Sequence, residues 1–262
     1  MRVKVFIVTY NNDIVLEQNL EKLYSSDLVE YDYMVYIINN HSTIKTKLEY
    51  PNLTILDNTL RPDFSTGHLS RNWNQALING FKDLDNPDSD LVILMQNDTF
   101  VKPFWFSNLI ESHKTYDFIQ LGTGDQIMSF NANAVKQIGL FDERFCTIAF
   151  QEADYFMMAY MLHRDKISIN DYRHYRIHNP LSDVNEIYLE SEYSLNKKFH
   201  NTAWHEYNRQ LFYLKWNNLN PEHWNFTKDT PITLPKINRY YYYPYFETKI
   251  NTLIEQNYLV KL

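Results

Sequence analysis

The chain has 262 residues, 44% of them hydrophobic, and a single cysteine, Cys146; a core of this size needs no disulfide or metal staple, and a lone thiol forms no internal bridge. Its 25 Lys plus Arg against 32 Asp plus Glu leave a net charge of −7, which opposes sequence-independent grip on nucleic acid, so an anionic ligand must be met by local cations. With 5 glycines beside 21 tyrosines and 16 phenylalanines, disordered and low-complexity readings are excluded.

The chain opens Met1-Arg2-Val3-Lys4 and enters a β-rich run at once, without the apolar core of a leader peptide, and no apolar stretch reaches membrane-spanning length. These features, with the unpaired thiol, predict a cytoplasmic protein without a membrane span. Residues 3–9 (VKVFIVT) form a nearly continuous β-branched and aromatic run, the pattern of a strand buried on both faces, stopped by Tyr10-Asn11-Asn12-Asp13. A helix is expected next, capped by Asp13, with Leu16, Leu20 and Leu23 on one face. Buried runs at residues 34–38 and 53–56 end at Asn39-Asn40 and Asp57-Asn58. After Gly67, the spacing of Leu69, Trp73, Ala76, Leu77 and Gly80 predicts a helix, and residues 90–95 (DLVILM) return as a strand ending at Gln96-Asn97-Asp98.

This alternation is the signature of an α/β fold with a mostly parallel, Rossmann-like sheet flanked by helices. Ligands of such sheets lie beyond the carboxyl ends of the strands, so the polar stops at Tyr10-Asn11, Asn39-Asn40 and Asn97-Asp98 are expected to converge on one rim. Further on, residues 103–113 read as a helix, 118–121 and 127–131 as short strands, and 153–162 as a helix. From residue 181 the composition shifts, and residues 181–262 are expected to be a helical, aromatic-rich appendage packed on a core of residues 1–180. The common dinucleotide, P-loop, zincin, zinc-ribbon and serine-hydrolase motifs are missing. Gly122-Thr123-Gly124 reads as a bare pair of glycines.

In order, IVTYNN (7–12), INNHS (38–42), SRNWNQAL (70–77), LMQNDTFV (94–101), GLFDERF (139–145) and FQEAD (150–154) resemble successive motifs of the family 2 glycosyltransferases of GT-A fold, most closely their rhamnosyltransferase-like branch. The resemblance covers residues 3 to about 180, with a weaker echo from Tyr207-Asn208-Arg209 to Trp216. It implies a metal-dependent, inverting transfer from a nucleoside-diphosphate sugar (UDP, GDP or dTDP) to a hydroxyl of a glycan or glycoconjugate, as in polysaccharide biosynthesis. Neither nucleic acid nor a membrane span belongs to that picture.

Such a transfer builds negative charge on the departing diphosphate, which Mn²⁺ or Mg²⁺ neutralises efficiently. By the resemblance, the family's metal-binding DxD becomes Gln96-Asn97-Asp98, with Asp98 as the metal ligand and Asn97 beside the donor. Tyr175-Arg176-Ile177-His178 resembles the segment that supplies a further ligand, making His178 the candidate and His174 its reserve. The family's catalytic base falls in Gln151-Glu152-Ala153-Asp154. By the resemblance Glu152 stands at the base position, with Asp154 the other candidate; residues two apart on a helix diverge by about 200°, so the two cannot both face the sugar, and Glu152 is chosen. Thr9, Tyr10 and Asn11 are expected to line the nucleoside pocket. Asn39 stands where the family commonly carries an aspartate that reads the base, Arg71 is the cation for the diphosphate, and Asp63 contacts the donor sugar. Trp73 is expected in the core, while Trp105, Trp204, Trp216 and Trp224 are candidate sugar platforms. Sugar-nucleotide pyrophosphorylases share the sheet topology but need a glycine-rich loop that Tyr10-Asn11-Asn12-Asp13 lacks. A catalytically degenerate nucleotide-sugar or glycan-binding module is the alternative left by the departures at Gln96, Asn39 and Gln151.

Overall fold

In the computed structural model, which describes residues 1–10, 12–40, 44, 47–58, 68–122, 124–145, 149–169, 188, 189, 208, 209 and 212, the opening apolar run is strand β1 (Arg2–Thr9). It pairs in parallel with β2 (Asp32–Asn40) on one side and β4 (Leu91–Gln96) on the other. Successive side chains leave a strand on opposite faces, and this divides the core in two. Val3, Val5 and Ile7 pack with Leu16 and Leu20 of α1 (Asp13–Tyr24) and Leu109 of α3 (Trp105–His113). Phe6 points the other way, into a cluster with Trp73 and Leu77 of α2 (His68–Phe81), Val135 of α4 (Ala132–Ile138) and Phe156 of α5 (Gln151–His163). Each large side chain so buried contributes roughly 1.5–3 kcal/mol of transfer free energy. Both faces of β1 are covered, which is why its sequence does not alternate.

The remaining strands are β3 (Leu53–Asn58), β5 (Thr99–Phe100), β6 (Phe118–Leu121), β7 (Ile127–Phe130), β8 (Ile167–Ile169) and β9 (Tyr188–Leu189). The main sheet has seven strands in the order β3-β2-β1-β4-β7-β6-β8. Only β7 opposes its neighbours, β4 and β6. A second, two-stranded sheet joins β5 to β9 antiparallel. The α/β architecture with a mostly parallel sheet is therefore as the sequence predicts. Among the described residues no helix is long and apolar enough to cross a membrane. The expected boundary at residue 180 lies outside the described residues, as do Cys146 and most of the appendage.

Helix α2 lies directly on the sheet: a Cβ on Gly80 would sit 2.3 Å from Val92 Cγ2, so only glycine permits this approach. At the end of α2, the buried Lys4 donates from Nζ to Gly80 O at 2.9 Å and pairs with Asp88 at 2.7 Å, placing a cation where the helix dipole is negative. Hydrogen bonds from Lys4 and Lys82 hold the Asp88 carboxyl down to about 2.

Three local expectations are corrected. Asp13 does not cap α1; the N-cap is Asn12, without a side-chain bond, and Asp13 occupies the first turn, where its charge faces the positive helix end. Residue 131 ends no strand. Instead Asn131 Oδ1 accepts the Ala134 N–H at 3.0 Å and starts α4, which closes at Gly139 with φ 91°; the cap-to-glycine spacing was the overlooked signal. Trp105 is no sugar platform: it is 3% exposed and donates from Nε1 to Ser26 Oγ at 3.0 Å. Trp73 is core, at 0% exposure.

A pH dependence follows from His113, at the end of α3. Tyr116 O can only accept, so Nδ1–H donates to it at 3.0 Å, and Nε2 lies 2.7 Å from Ser129 Oγ, from which it accepts. Burial pushes the imidazole down to about 4. An unfolded histidine titrates near 6.5, so between these values the native state binds fewer protons and stability falls as pH drops from about 6.5 towards 4. Urea midpoints across that window are expected to decline in the natural chain and to flatten in His113→Gln. An unchanged slope contradicts the assignment.

Candidate functional site

The four parallel strands β3, β2, β1 and β4 end level with one another, with Thr9 paired to Asn39, Asn39 to Asp57, and Val8 to Gln96. Their polar stops meet as the sequence predicts. Thr9, 3% exposed, accepts from Asn97 Nδ2 at 2.9 Å, which ties β1 to the turn after β4. Asn39, equally buried, donates to Asp57 Oδ1 at 2.7 Å. Its amide is thus joined to a carboxylate on the next strand, a partner that lies 18 residues away in the chain. Asn58 continues the network to Asn40 at 2.9 Å and to Gln75 of α2 at 3.2 Å. Tyr10 is half-buried at the end of β1. Asn11 and Asp63 lie outside the described residues.

Asp98 follows β4 on the same rim. Burial, joined by the charge of Asp125, raises its carboxyl above the ordinary aspartate range, against a backbone hydrogen bond that lowers it. Asp125 itself, 5% exposed, was not singled out from the sequence. It closes the connection from β6 to β7, where Gly122 and Gly124 both take positive φ, 77° and 59°. The buried Gln120 holds that turn by donating to Gly122 O and Gly124 O at 3.0 and 2.8 Å. The two glycines are therefore the device that delivers Asp125, and their spacing was its signal. Trp73 Nε1 donates to Asp125 Oδ2 at 2.9 Å, Gln151 Nε2 to the same oxygen at 3.3 Å, and Gln96 Nε2 to Oδ1. One carboxylate thus joins β4, α2 and α5. Burial raises its carboxyl, while these N–H donors pull the other way.

Helix α5 enters through two consecutive non-glycine residues in the left-handed region, Ala149 (φ 84°) and Phe150 (φ 68°). Each such residue costs on the order of 1–3 kcal/mol and persists only where its surroundings enforce it. Beyond them, Gln151 reaches Asp125, and Glu152 is half-buried beside Gly124, whose added Cβ would lie 3.8 Å from Glu152 Cγ. Asp154 is completely buried. Arg71, in the first turns of α2, donates from Nε to Glu143 Oε2 at 3.1 Å, and Glu143 Oε1 accepts from Asn74 Nδ2 at 3.0 Å. Burial raises the Glu143 carboxyl. Asp142, alongside, is held by Arg144. The GLFDERF segment is thus bolted to α2, an arrangement its sequence does not disclose.

Among the described residues, Ser70 Oγ, Asn72 Nδ2 and Gln151 Oε1 are buried and find no hydrogen-bond partner. Such atoms cost about 1–3 kcal/mol each, and a water, an ion or a bound ligand can supply the missing partner. For a divalent cation, Asp98 offers carboxylate oxygens, whereas both Asp125 oxygens are occupied by N–H donors. Among the described residues no group of three or more His, Cys, Asp or Glu side chains converges as a metal cage. The donor set fits Mg²⁺ or Mn²⁺, which bind through one or two carboxylates with substrate phosphates and water completing the shell. His174 and His178 lie outside the described residues, as do Trp204, Trp216 and Trp224.

No protein-family model and no curated protein sequence matches the chain. Among solved structures it is similar to the mannosyltransferase PcManGT from Pyrobaculum calidifontis in complex with GDP-Man and Mn²⁺: identity 15%, TM-score 0.45, covering 65% of this chain and 55% of that one. It is also similar to S. aureus TarS, at 15% identity and TM-score 0.46, over 66% of this chain and 35% of that one. TarS 1–349 in complex with UDP gives 17% identity and TM-score 0.47, over 64% and 57% of the two chains.

Proposed function

We propose that the chain is a glycosyltransferase of GT-A type that moves a sugar from a nucleoside diphosphate to a hydroxyl of a glycan or glycoconjugate acceptor, with inversion at the anomeric carbon. The observation that carries this reading is the Asp125 hub, which ties the β4 end bearing Asp98 and the first turn of α5 bearing Glu152 into one rigid rim. The motif resemblance to the rhamnosyltransferase-like branch supports the same reading, and so does the level ending of the four parallel strands.

In this mechanism Glu152 takes the proton from the acceptor hydroxyl while its oxygen bonds to the anomeric carbon. The bond from that carbon to the diphosphate oxygen breaks, and the electron pair leaves with the diphosphate. Asp98 would hold Mn²⁺ or Mg²⁺, with His178 as a further ligand, and the chemistry such a cation would supply is neutralisation of charge on the leaving group. Thr9, Tyr10, Asn11 and Asn39 form the nucleoside pocket in this reading, and Asp57, an exposed carboxylate that accepts from Asn39, is a further candidate beside them. Arg71 approaches the diphosphate from α2, its Nε anchored by Glu143, while Asn97 and Asp63 complete the donor site. Asp154 is completely buried, which favours Glu152 over it as the base. The protein works in the cytoplasm.

Thermal unfolding with UDP, GDP, dTDP or CMP, each with and without Mn²⁺, tests the reading. A ligand at about a hundred times its Kd stabilises by about 2.7 kcal/mol, or roughly 5–10 °C for a chain of this size. One nucleoside diphosphate is expected to give this shift only with Mn²⁺, followed by slow hydrolysis of its sugar conjugate that Glu152→Gln abolishes. No shift with any nucleotide in folded protein overturns the reading and favours a glycan-binding module.

A further inference from the structure

We propose that Asn208 is a positioning residue for the transfer reaction: it clamps the left-handed Ala149–Phe150 turn and so aims Glu152 at the rim, an inference that rests on Glu152 being the base. The turn is the joint between the GLFDERF segment and α5, and its φ angles of 84° and 68° are ones that residues with a Cβ rarely adopt. An unsupported joint of this kind relaxes and swings the helix that follows. Here it is held from three sides. Asn208 donates from Nδ2 to Ala149 O at 2.9 Å, and the Phe212 ring packs on Phe150 with centroids 5.6 Å apart. The third hold is the first bond of α5 itself, from Asp154 N to Phe150 O at 2.9 Å.

Asn208 and Phe212 are both 0% exposed. They lie four positions apart on helical residues, the spacing that puts two side chains on one face. That face meets the joint at Ala149 O and the Phe150 ring, so Asn208 acts on Glu152 through the backbone it orients. The consequence is local. Gln151 and Glu152 are the first residues after the turn, and Gln151 already touches Asp125. A small rotation at Ala149 therefore moves Glu152 relative to Gly124 and Asp98 while leaving the ends of β1 and β2 where they are. Donor binding and catalytic turnover are thereby separated: the residues proposed to hold the nucleoside do not depend on the joint, and the proposed base does.

The test compares Asn208→Ala with the double variant Ala149→Gly/Asn208→Ala, since glycine adopts positive φ without the steric penalty. Hydrolysis of UDP-, GDP- and dTDP-sugars gives kcat and KM, and amide hydrogen exchange reports on residues 149–155. Asn208→Ala is expected to lower kcat by roughly ten- to a hundredfold, with donor KM changed by less than about twofold, and to speed exchange over that segment. The glycine variant is expected to recover part of both. Asn208→Ser, too short to reach Ala149 O, serves if Asn208→Ala does not fold. Unchanged kcat, a loss that falls on KM, or a loss that Ala149→Gly does not rescue overturns the proposal. A natural chain that turns over no nucleotide sugar defeats the glycosyltransferase reading instead. The clamp is then decided by exchange alone: faster exchange restored by Ala149→Gly upholds it, and unchanged exchange overturns it.

Discussion

Asp98→Asn is expected to raise the thermal midpoint at pH 7 while lowering turnover by at least about a hundredfold. Both effects have one cause. Burial and the neighbouring charge of Asp125 raise the Asp98 carboxyl, so at neutral pH the folded chain holds a carboxylate in surroundings that disfavour its charge. The amide keeps the shape and removes the charge, relieving the repulsion. It also removes the anionic oxygen that a divalent cation needs. Opposed signs for stability and activity are the mark of a residue retained for function. Paired melting curves and donor hydrolysis rates check this. A fall in the midpoint shows instead that the carboxylate is needed by the fold, and full activity removes Asp98 from the metal role.

Asp125→Ala has the larger structural effect, an expected loss of about 3–5 kcal/mol. The substitution strands the N–H groups of Trp73, Gln151 and Gln96, whose present acceptors are Asp125 oxygens, and each buried donor left unmade costs about 1–3 kcal/mol. It also opens a void beside Trp73, which is 0% exposed. Asp125→Asn is expected to lose less but still to destabilise, because one of its two amide positions presents N–H to donors. Adding Trp73→Phe to Asp125→Ala is expected to cost less than the sum of the single changes, since the indole N–H no longer lacks an acceptor. Urea unfolding of the two single variants and the double variant closes this cycle. Strict additivity means that the Trp73 bond contributes nothing.

The two residues differ in how they are found. Asp98 follows the apolar strand β4 at the place where open α/β sheets bind ligands, so its position in the chain already marks it. Asp125 follows two glycines in a stretch without a familiar motif, and its partners are distant in sequence: Gln96 is 29 residues away, Trp73 52 and Gln151 26. Glu143 is similar. Its partner Arg71 is 72 residues away, and the sequence marks Arg71 as a cation for a phosphate without disclosing the carboxylate that anchors it. Asn39 gains Asp57 from the next strand in the same way. For Glu152 and Asp154, helical geometry predicts divergence, and the structure places Asp154 in the core with Glu152 half-buried near the rim.

The alternation of strands and helices, the burial of β1 on both faces and the polar ends of the strands are legible in the residues alone. These are local consequences of side-chain periodicity and of turn residues interrupting apolar runs. The antiparallel insertion of β7, the short helix α4, the carboxylate hub and the clamped entrance to α5 depend on contacts made only once the chain has folded. A hydrogen bond between groups dozens of residues apart leaves no periodicity in the chain. A left-handed turn at Ala149–Phe150, made of residues that do not favour it, exists only because packing from elsewhere in the chain enforces it.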